Sequence, residues 1–197
     1  MLIDNDSEEK YKYDFIERNK VLSNSKFNVF FDHLKTNDGY DIKDFMVVKP
    51  KVSNDDNVVG ICVMPIYNDK FYLMKGWRHQ FNDFVFQAPS GFVEKDESAS
   101  QTALRELFEE VSFHCDSHDL ISLGTYLPDA GLIEGKVALF LAMNCIKKDE
   151  FYVNEIGTGD MVPFTQEEIM NLINSESNIG GSTIVTALRG ISYLQKL

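Results

Sequence analysis

The stretch Gly91–Phe113, GFVEKDESASQTALRELFEEVSF, decides how the rest of this chain is read. Its centre, Arg105-Glu106-Leu107-Phe108-Glu109-Glu110, sets four charges into six residues beside a strong apolar pattern. At about 100° per residue, Thr102, Ala103, Glu106, Glu109 and Glu110 fall on one helical face. Leu104, Leu107, Phe108 and Val111 occupy the opposite arc, so the spacing predicts a helix with one side in a core and the other bearing carboxylates. Carboxylates crowded into one turn repel one another, and a hard divalent cation with oxygen ligands relieves that repulsion. Arg105 stands four residues before Glu109 and is placed to pin it. A Glu-rich helix taken alone is usually a solvated face, so the wider spacing has to decide.

That spacing extends well beyond the helix centre. Gly91 is followed by five residues and Glu97, then by seven residues and the Arg105-Glu106-Leu107-x-Glu109-Glu110 set. Fixed positions at roughly 7% each, six of them, coincide by chance about once in ten million windows. On these residues the sequence resembles the Nudix hydrolases, whose signature is G-x5-E-x7-R-E-U-x-E-E-x-G-U with U aliphatic. One position departs. Ser112 stands where that family has Gly, and Phe113 takes the final apolar place. A Gly there lets the chain turn out of the helix, so Ser112 puts the exit geometry in question and leaves the charged chemistry intact.

The resemblance implies a Mg²⁺ ion, with Mn²⁺ as the alternative. Glu106 and Glu110 would hold it, with Glu109 beside them and the backbone carbonyl of Ser90 completing the set. Oxygen-only ligands suit Mg²⁺, which polarises a phosphoryl oxygen and acidifies an attacking water. Glu97 is expected to orient this set rather than to touch substrate.

Composition bounds the alternatives. A chain of 197 residues, 44% hydrophobic, buries one sizeable core. A net charge of −12 argues against a nucleic-acid binder, which presents basic faces. Small anionic substrates remain compatible, because a bound cation inverts the local sign. Cys62, Cys115 and Cys145 form no C-x-x-C and read as reduced, buried thiols of a cytoplasmic protein. No signal peptide is visible at Met1–Asp6, and no run of eighteen apolar residues predicts a membrane span.

Taken in order, residues 1–24 are polar, and a short helix or an extended arm is all they predict. Alternation over Lys26–Leu34, the Asn37-Asp38-Gly39 turn and a return over Tyr40–Val48 predict a hairpin. Pro50 and Ser53–Asn57 mark a linker, giving an N-terminal unit over 1–56 and a main domain over 57–197. The main domain opens with a second hairpin, Val58–Ile66 and Phe71–Gly76, after which Trp77–Gln80 reads as a loop leading to Phe84–Phe86. Further strands are predicted near Leu120–Leu127, Lys136–Ile146 and Met161–Phe164. Thr165-Gln166-Glu167-Glu168 is a capping box that opens a helix to Ile173, and a last helix spans Ser182 to Leu194. This order predicts an α/β fold, an α/β/α sandwich of mixed sheets with an N-terminal β-hairpin extension. The resemblance implies the same sandwich over 57–197, and the hairpin is similar to the N-terminal sheet of the branch that hydrolyses ADP-ribose and nucleoside diphosphate sugars.

Other site candidates rest on that branch. Gly76–Gly91 resembles its "QYR…E-x-P-A-G" stretch, which implies that Arg78 contacts a diphosphate, with Trp77 beside it. Gln87 replaces the usual Glu and Ser90 the usual Ala. Pro128–Gly135, PDAGLIEG, resembles the branch's "P-S-P-G-x-x-D-E" loop, with Gly131 near the substrate and Glu134 one place off the catalytic Glu. The general base therefore lies between Glu109, held by Arg105, and Glu134 on a loop that closes like a lid. Phe27 is a candidate to stack a base, although strand aromatics are more often core. The aromatic hairpin at 26–48 predicts a homodimer. The function expected is Mg²⁺-dependent hydrolysis of ADP-ribose or a related nucleoside diphosphate sugar. The alternatives are a dinucleotide or another sugar nucleotide as substrate, or a ligand-sensing Nudix domain without catalysis.

Overall fold

The computed structural model describes residues 12–148, 159–175 and 178–197. They group into two compact units, one of residues 12–51 with 129–135, the other of 52–128 with 136–197. The division thus falls after Lys51 and takes a later loop with it, whereas the composition shift in the sequence places it after residue 56.

The first unit is an antiparallel sheet of β1 (Tyr13–Ser23), β2 (Phe27–Thr36) and β3 (Asp41–Pro50), in that order. The expected hairpin is β2–β3, pairing Phe30 with Val47 and Phe31 with Met46. Its turn is made by Gly39 at φ +97°, a conformation that costs glycine little. The arm expected over 1–24 is a strand from Tyr13 onward; residues 1–11 lie outside the described ones. Residues 129–135 add to the other edge, where Val48 N–H donates to Leu132 O at 2.8 Å and Glu134 N–H to Val48 O at 3.0 Å. The loop read as a lid is therefore fastened to β3 by its backbone.

The second unit is a seven-stranded sheet along the path β12-β5-β4-β10-β9. Its strands are β4 (Val58–Tyr67), β5 (Lys70–Arg78), β9 (Leu120–Tyr126), β10 (Lys136–Ala142) and β12 (Asp160–Phe164). β6 (Asp83–Gln87) pairs with β5 and β7 (Ser90–Phe92) with β4. The stretch after Trp77, read as loop, is instead the turn of a β5–β6 hairpin in which Trp77 faces Phe84. Trp77 and Phe84 are 44% and 49% exposed, so no apolar alternation marked that hairpin. Asn68 and Asp69, at φ 48° and 58°, close the β4–β5 turn in the geometry that suits a right-twisted hairpin.

β4 and β10 run parallel at the sheet's centre, buried on both faces, so their sequences are almost uninterruptedly apolar. The two-residue alternation still sorts them. Ile61, Val63, Ala138 and Phe140 pack against α1 (Ala99–Val111). Cys62, Met64, Leu139 and Leu141 pack against α2 (Gln166–Ile173) and α3 (Gly181–Leu194). The result is the expected α/β/α sandwich. Leu107, fully buried in the α1 layer, contributes about 2–5 kcal/mol relative to Ala.

Candidate active site

α1 begins where its sequence says it should. Ser98 accepts from the Gln101 N–H while the Gln101 side chain accepts from the Ser98 N–H, satisfying two otherwise orphaned donors. It ends at Ser112, which adopts the left-handed conformation at φ 56°, ψ 28°, and sends its N–H back to Leu107 O and Phe108 O. The exit that Gly makes in the family is thus made here by Ser, at the usual cost of that conformation for a residue with a Cβ. The buried arc runs through Thr102, Ala103, Glu106, Leu107 and Val111. Phe108, expected in the core, is 38% exposed. Small Thr102 and Ala103 let the helix approach the sheet on the carboxylate side instead.

That approach depends on Gly91. A Cβ built there would lie 1.9 Å from Oε1 and 2.8 Å from Oε2 of Glu106. The Glu106 carboxylate occupies the space a side chain would take, which is why Glu106 is only 7% exposed. Arg105 then ties the set together. Its guanidinium clamps Glu97 through Nε at 3.1 Å and Nη2 at 3.0 Å. Nη1 donates to Glu106 Oε1 at 2.7 Å and to Glu109 Oε2 at 3.0 Å, and Nη2 also reaches Phe92 O at 3.2 Å. Hydrogen bonding to Glu97 above all, then to Glu106 and Glu109, holds the Arg105 cation well above its ordinary pKa. Burial works to raise the Glu97 carboxyl, but bonds from Arg105, Thr102 and the Glu94 N–H outweigh it and hold it below the usual range. Glu97 is thus linked to Glu106 and Glu109 through Arg105.

Glu110 is joined to the loop side of the site, where the Ser90 N–H donates to its Oε2 at 2.7 Å. Ser90, Gly91, Glu97, Arg105, Glu106, Glu109 and Glu110 are therefore brought together on β7, α1 and the loop between them. Glu109 is the exposed member, its side chain half accessible. The donors are all oxygen, and with Glu97 the group carries four carboxylates against one guanidinium, a charge excess that fits a hard divalent cation. A separate trio, exposed Asp116 and His118 with half-buried Asp119, brings ligand atoms within 4.8 Å of one another on the turn before β9.

Arg78 sits at the end of β5, where its Nη2 donates to Gln87 Oε1. Gln87, the departure that removed a charge, thus keeps an acceptor for that guanidinium. Trp77 stacks edge-on with Phe84, ring centroids 5.3 Å apart.

Glu134 and Gly131 belong to the first unit. Arg18 Nη1 donates to Glu134 Oε2 at 2.6 Å, and Lys49 Nζ donates to its Oε1. Arg18 also clamps Asp32, 4% exposed, with two bonds of 2.7 Å. Burial raises the Glu134 carboxyl, yet Lys49 and Arg18 prevail and hold it below the usual range. A carboxylate held in this way is a weak proton acceptor. Gly131 lines a cleft of about 250 Å³ with Arg18, Phe45, Val47, Leu132 and Glu134; Phe27 is half-buried on β2. Sequence reading named Glu134 but missed its partners, because Arg18 is 116 residues away and nothing local marks it.

Residues 56–149 match the family model of the NUDIX domain. The chain thus carries a NUDIX domain over those residues, with its Arg105–Glu110 set inside it. It is similar to a solved structure described as an ADP compounds hydrolase, at 18% identity and a TM-score of 0.74 over 94% of this chain and 95% of that one. A relative from Bacillus methanolicus, named methanol dehydrogenase activator, is 27% identical over 139 residues, 69% of this chain and 71% of that protein. Among the described residues, no helix is long and apolar enough to cross a membrane.

Proposed function

We propose that this protein hydrolyses the diphosphate of ADP-ribose or a related nucleoside diphosphate sugar, with Mg²⁺ (or Mn²⁺), to a nucleoside monophosphate and a sugar phosphate. The observation that carries this is the Arg105 hub, which holds Glu97, Glu106 and Glu109 together over the Gly91 cradle. In this reading Glu106 and Glu110, with the Ser90 carbonyl, hold the cation. When bound, that ion polarises a phosphoryl oxygen and lowers the pKa of water. Arg105 keeps the carboxylates in one arrangement, so little reorganisation is needed as charge develops. Glu109 takes the proton from water, since its exposed side chain has one bond from Arg105 where Glu134 has two cationic partners. Arg78 contacts the diphosphate, with Trp77 beside it.

A homodimer belongs to the same proposal. Tyr13, Phe15, Ile16, Val21 and Leu22 on β1 are 48–59% exposed, and Tyr40 beside β3 with Phe45 and Met46 on it 37–69%. An apolar surface of that extent marks an interface, here for a second copy. A 22.5 kDa monomer by light scattering at micromolar concentration refutes it. The three free thiols fit a reducing compartment, and we place the protein in the cytoplasm.

The test is a product assay over ADP-ribose, nucleoside diphosphate sugars, dinucleotides and dinucleoside polyphosphates, with Mg²⁺ or Mn²⁺. ADP-ribose or a sugar nucleotide is expected to turn over fastest, and no turnover on any of them refutes the proposal. A second reading, hydrolysis of a nicotinamide dinucleotide, is favoured by the relative named for activating a dehydrogenase. Dehydrogenases use such dinucleotides, whose two halves are joined by a diphosphate. Preference for the dinucleotide in that panel selects it.

A further inference from the structure

Two residues past α1, the chain forms a minimal ladder: β8 (Phe113–His114) pairs antiparallel with β11 (Ile146–Lys147). The register matches Phe113 with Lys147 and His114 with Ile146, so the next pair in line is Cys115 with Cys145. Hydrogen-bonded and non-hydrogen-bonded pairs alternate along such a ladder. Lys148 N–H donates to Ser112 O at 2.9 Å, which makes 112/148 a hydrogen-bonded pair. Counting along, 114/146 is hydrogen-bonded and 115/145 is not. The Cys145 N–H agrees, since it turns away and donates to Ile66 O at 3.1 Å.

A non-hydrogen-bonded pair brings its Cα atoms to about 4.5 Å, with the side chains on one face. Disulfides need Cα atoms roughly 4.4–6.8 Å apart, so the backbone already meets the condition. The side chains lie in one buried cluster, with Cys115 Sγ 3.4 Å from Met143 O and Cys145 Sγ 3.2 Å from Ala142 O. Both are 4% exposed, but His114, Asp116, Asn144 and Ile146 around them are exposed, and the ladder covering them is only two residues long. Short ladders open locally at little cost.

We propose that Cys115 and Cys145 are a modification site: a dithiol pair that closes reversibly into a cross-strand disulfide by exchange with a low-molecular-weight disulfide. Cys115 attacks first. The neighbouring Cys145 thiol lowers it, while the Cys115 thiol and burial raise Cys145. The Cys115 thiolate bonds to one sulfur of the small disulfide and expels the other as a thiolate, which takes up a proton. Cys145 then loses its proton, attacks the Cys115 sulfur and expels the second small thiol. Two protein thiols are oxidised and one small disulfide is reduced to two thiols. Cys62 stays out of it: burial pushes its thiol up to about 12, and it lies between β4 and the α3 layer.

The closed bridge staples residue 115 to residue 145 and so fixes the chain just beyond the left-handed exit at Ser112. The test uses the unaltered protein, incubated with oxidised glutathione and then with dithiothreitol. Intact mass is expected to fall by about 2 Da, the loss of two thiol hydrogens. One thiol remains titratable after denaturation, and peptide mapping joins Cys115 to Cys145. The melting temperature is expected to rise by roughly 10 °C, from the loop closed in the unfolded chain, and both changes reverse on reduction. The Cys145→Ser variant is expected to stop at the mixed disulfide on Cys115. Three titratable thiols after prolonged oxidation, a bridge that includes Cys62, or bridges between chains would overturn the proposal.

Discussion

Gly91→Ala tests the packing logic of the site with a single methyl group. The new Cβ would lie 1.9 Å from Glu106 Oε1, and ordinary contact begins near 3.4 Å, so the carboxylate must retreat by about 1.5 Å. The backbone need not move, because the group in the way is the far end of a flexible side chain. Retreat stretches the 2.7 Å bond from Arg105 Nη1 beyond hydrogen-bonding range and drags a proposed cation ligand off its position. A displacement of about 1 Å in a catalytic constellation costs on the order of 10²-fold, equivalent to about 2.7 kcal/mol of barrier. Gly91→Ala is therefore expected to lower kcat/KM by about 10²-fold and to weaken Mg²⁺ activation. Its melting temperature should fall by only a few degrees, since overpacking of this kind costs about 1–3 kcal/mol. Gly181→Ala is the control: nothing lies within 4 Å of its added Cβ at the exposed start of α3. The assay is ADP-ribose hydrolysis against Mg²⁺ concentration beside a thermal melt of each variant. Near-native kcat/KM in folded Gly91→Ala would show that Glu106 does not need its cradle, and the site assignment would fall with it.

Other outcomes follow from neighbouring residues. Ser112→Gly removes the strain of φ 56° and should raise stability by about 1 kcal/mol, or roughly 2–4 °C in melting temperature, with activity unchanged; a lower melting temperature contradicts the strain argument. Glu109→Gln should remove the acidic limb of the pH–rate profile while Glu134→Gln leaves it in place, and the reverse result moves the base to the 129–135 loop. Glu97 and Glu134 both have folded-state values below their ordinary 4.5. Each therefore contributes stability that is full above pH 4.5 and is lost as pH falls through the lowered value. Acid melts should show that loss, and Glu134→Gln should lessen it; a stability flat to about pH 3, where the unfolded carboxyls are already largely protonated, would contradict the ion pairs.

How much of this was legible beforehand depended on range. α1, its capping box, the β4–β5 hairpin and the box at Thr165 are set by neighbours within a few residues, and periodicity shows them. The Arg105 hub was legible in part, since Glu109 lies one turn away while the reach to Glu97 needs the loop before the helix. β1 was not legible, because residues 13–23 are exposed on both faces and show no alternation. The anchoring of the 129–135 loop was not legible for another reason. Its fastening to β3 and the partners of Glu134 come from residues about 80 to 120 positions away, and Gly and Pro in the loop speak only of local turns. The Cys115–Cys145 pairing likewise needs a register between segments thirty residues apart, which a count of cysteines does not give.

The most direct measurement is ADP-ribose hydrolysis by the wild type and by Glu110→Gln across a Mg²⁺ titration. The substitution keeps an oxygen to accept from the Ser90 N–H and leaves Leu107 and Val111 in the core, so the fold should hold. It removes one negative charge from the proposed cation site. The account predicts a loss in kcat of at least about 10²-fold with a weaker response to Mg²⁺. Unchanged kcat together with an unchanged Mg²⁺ response in Glu110→Gln would contradict it.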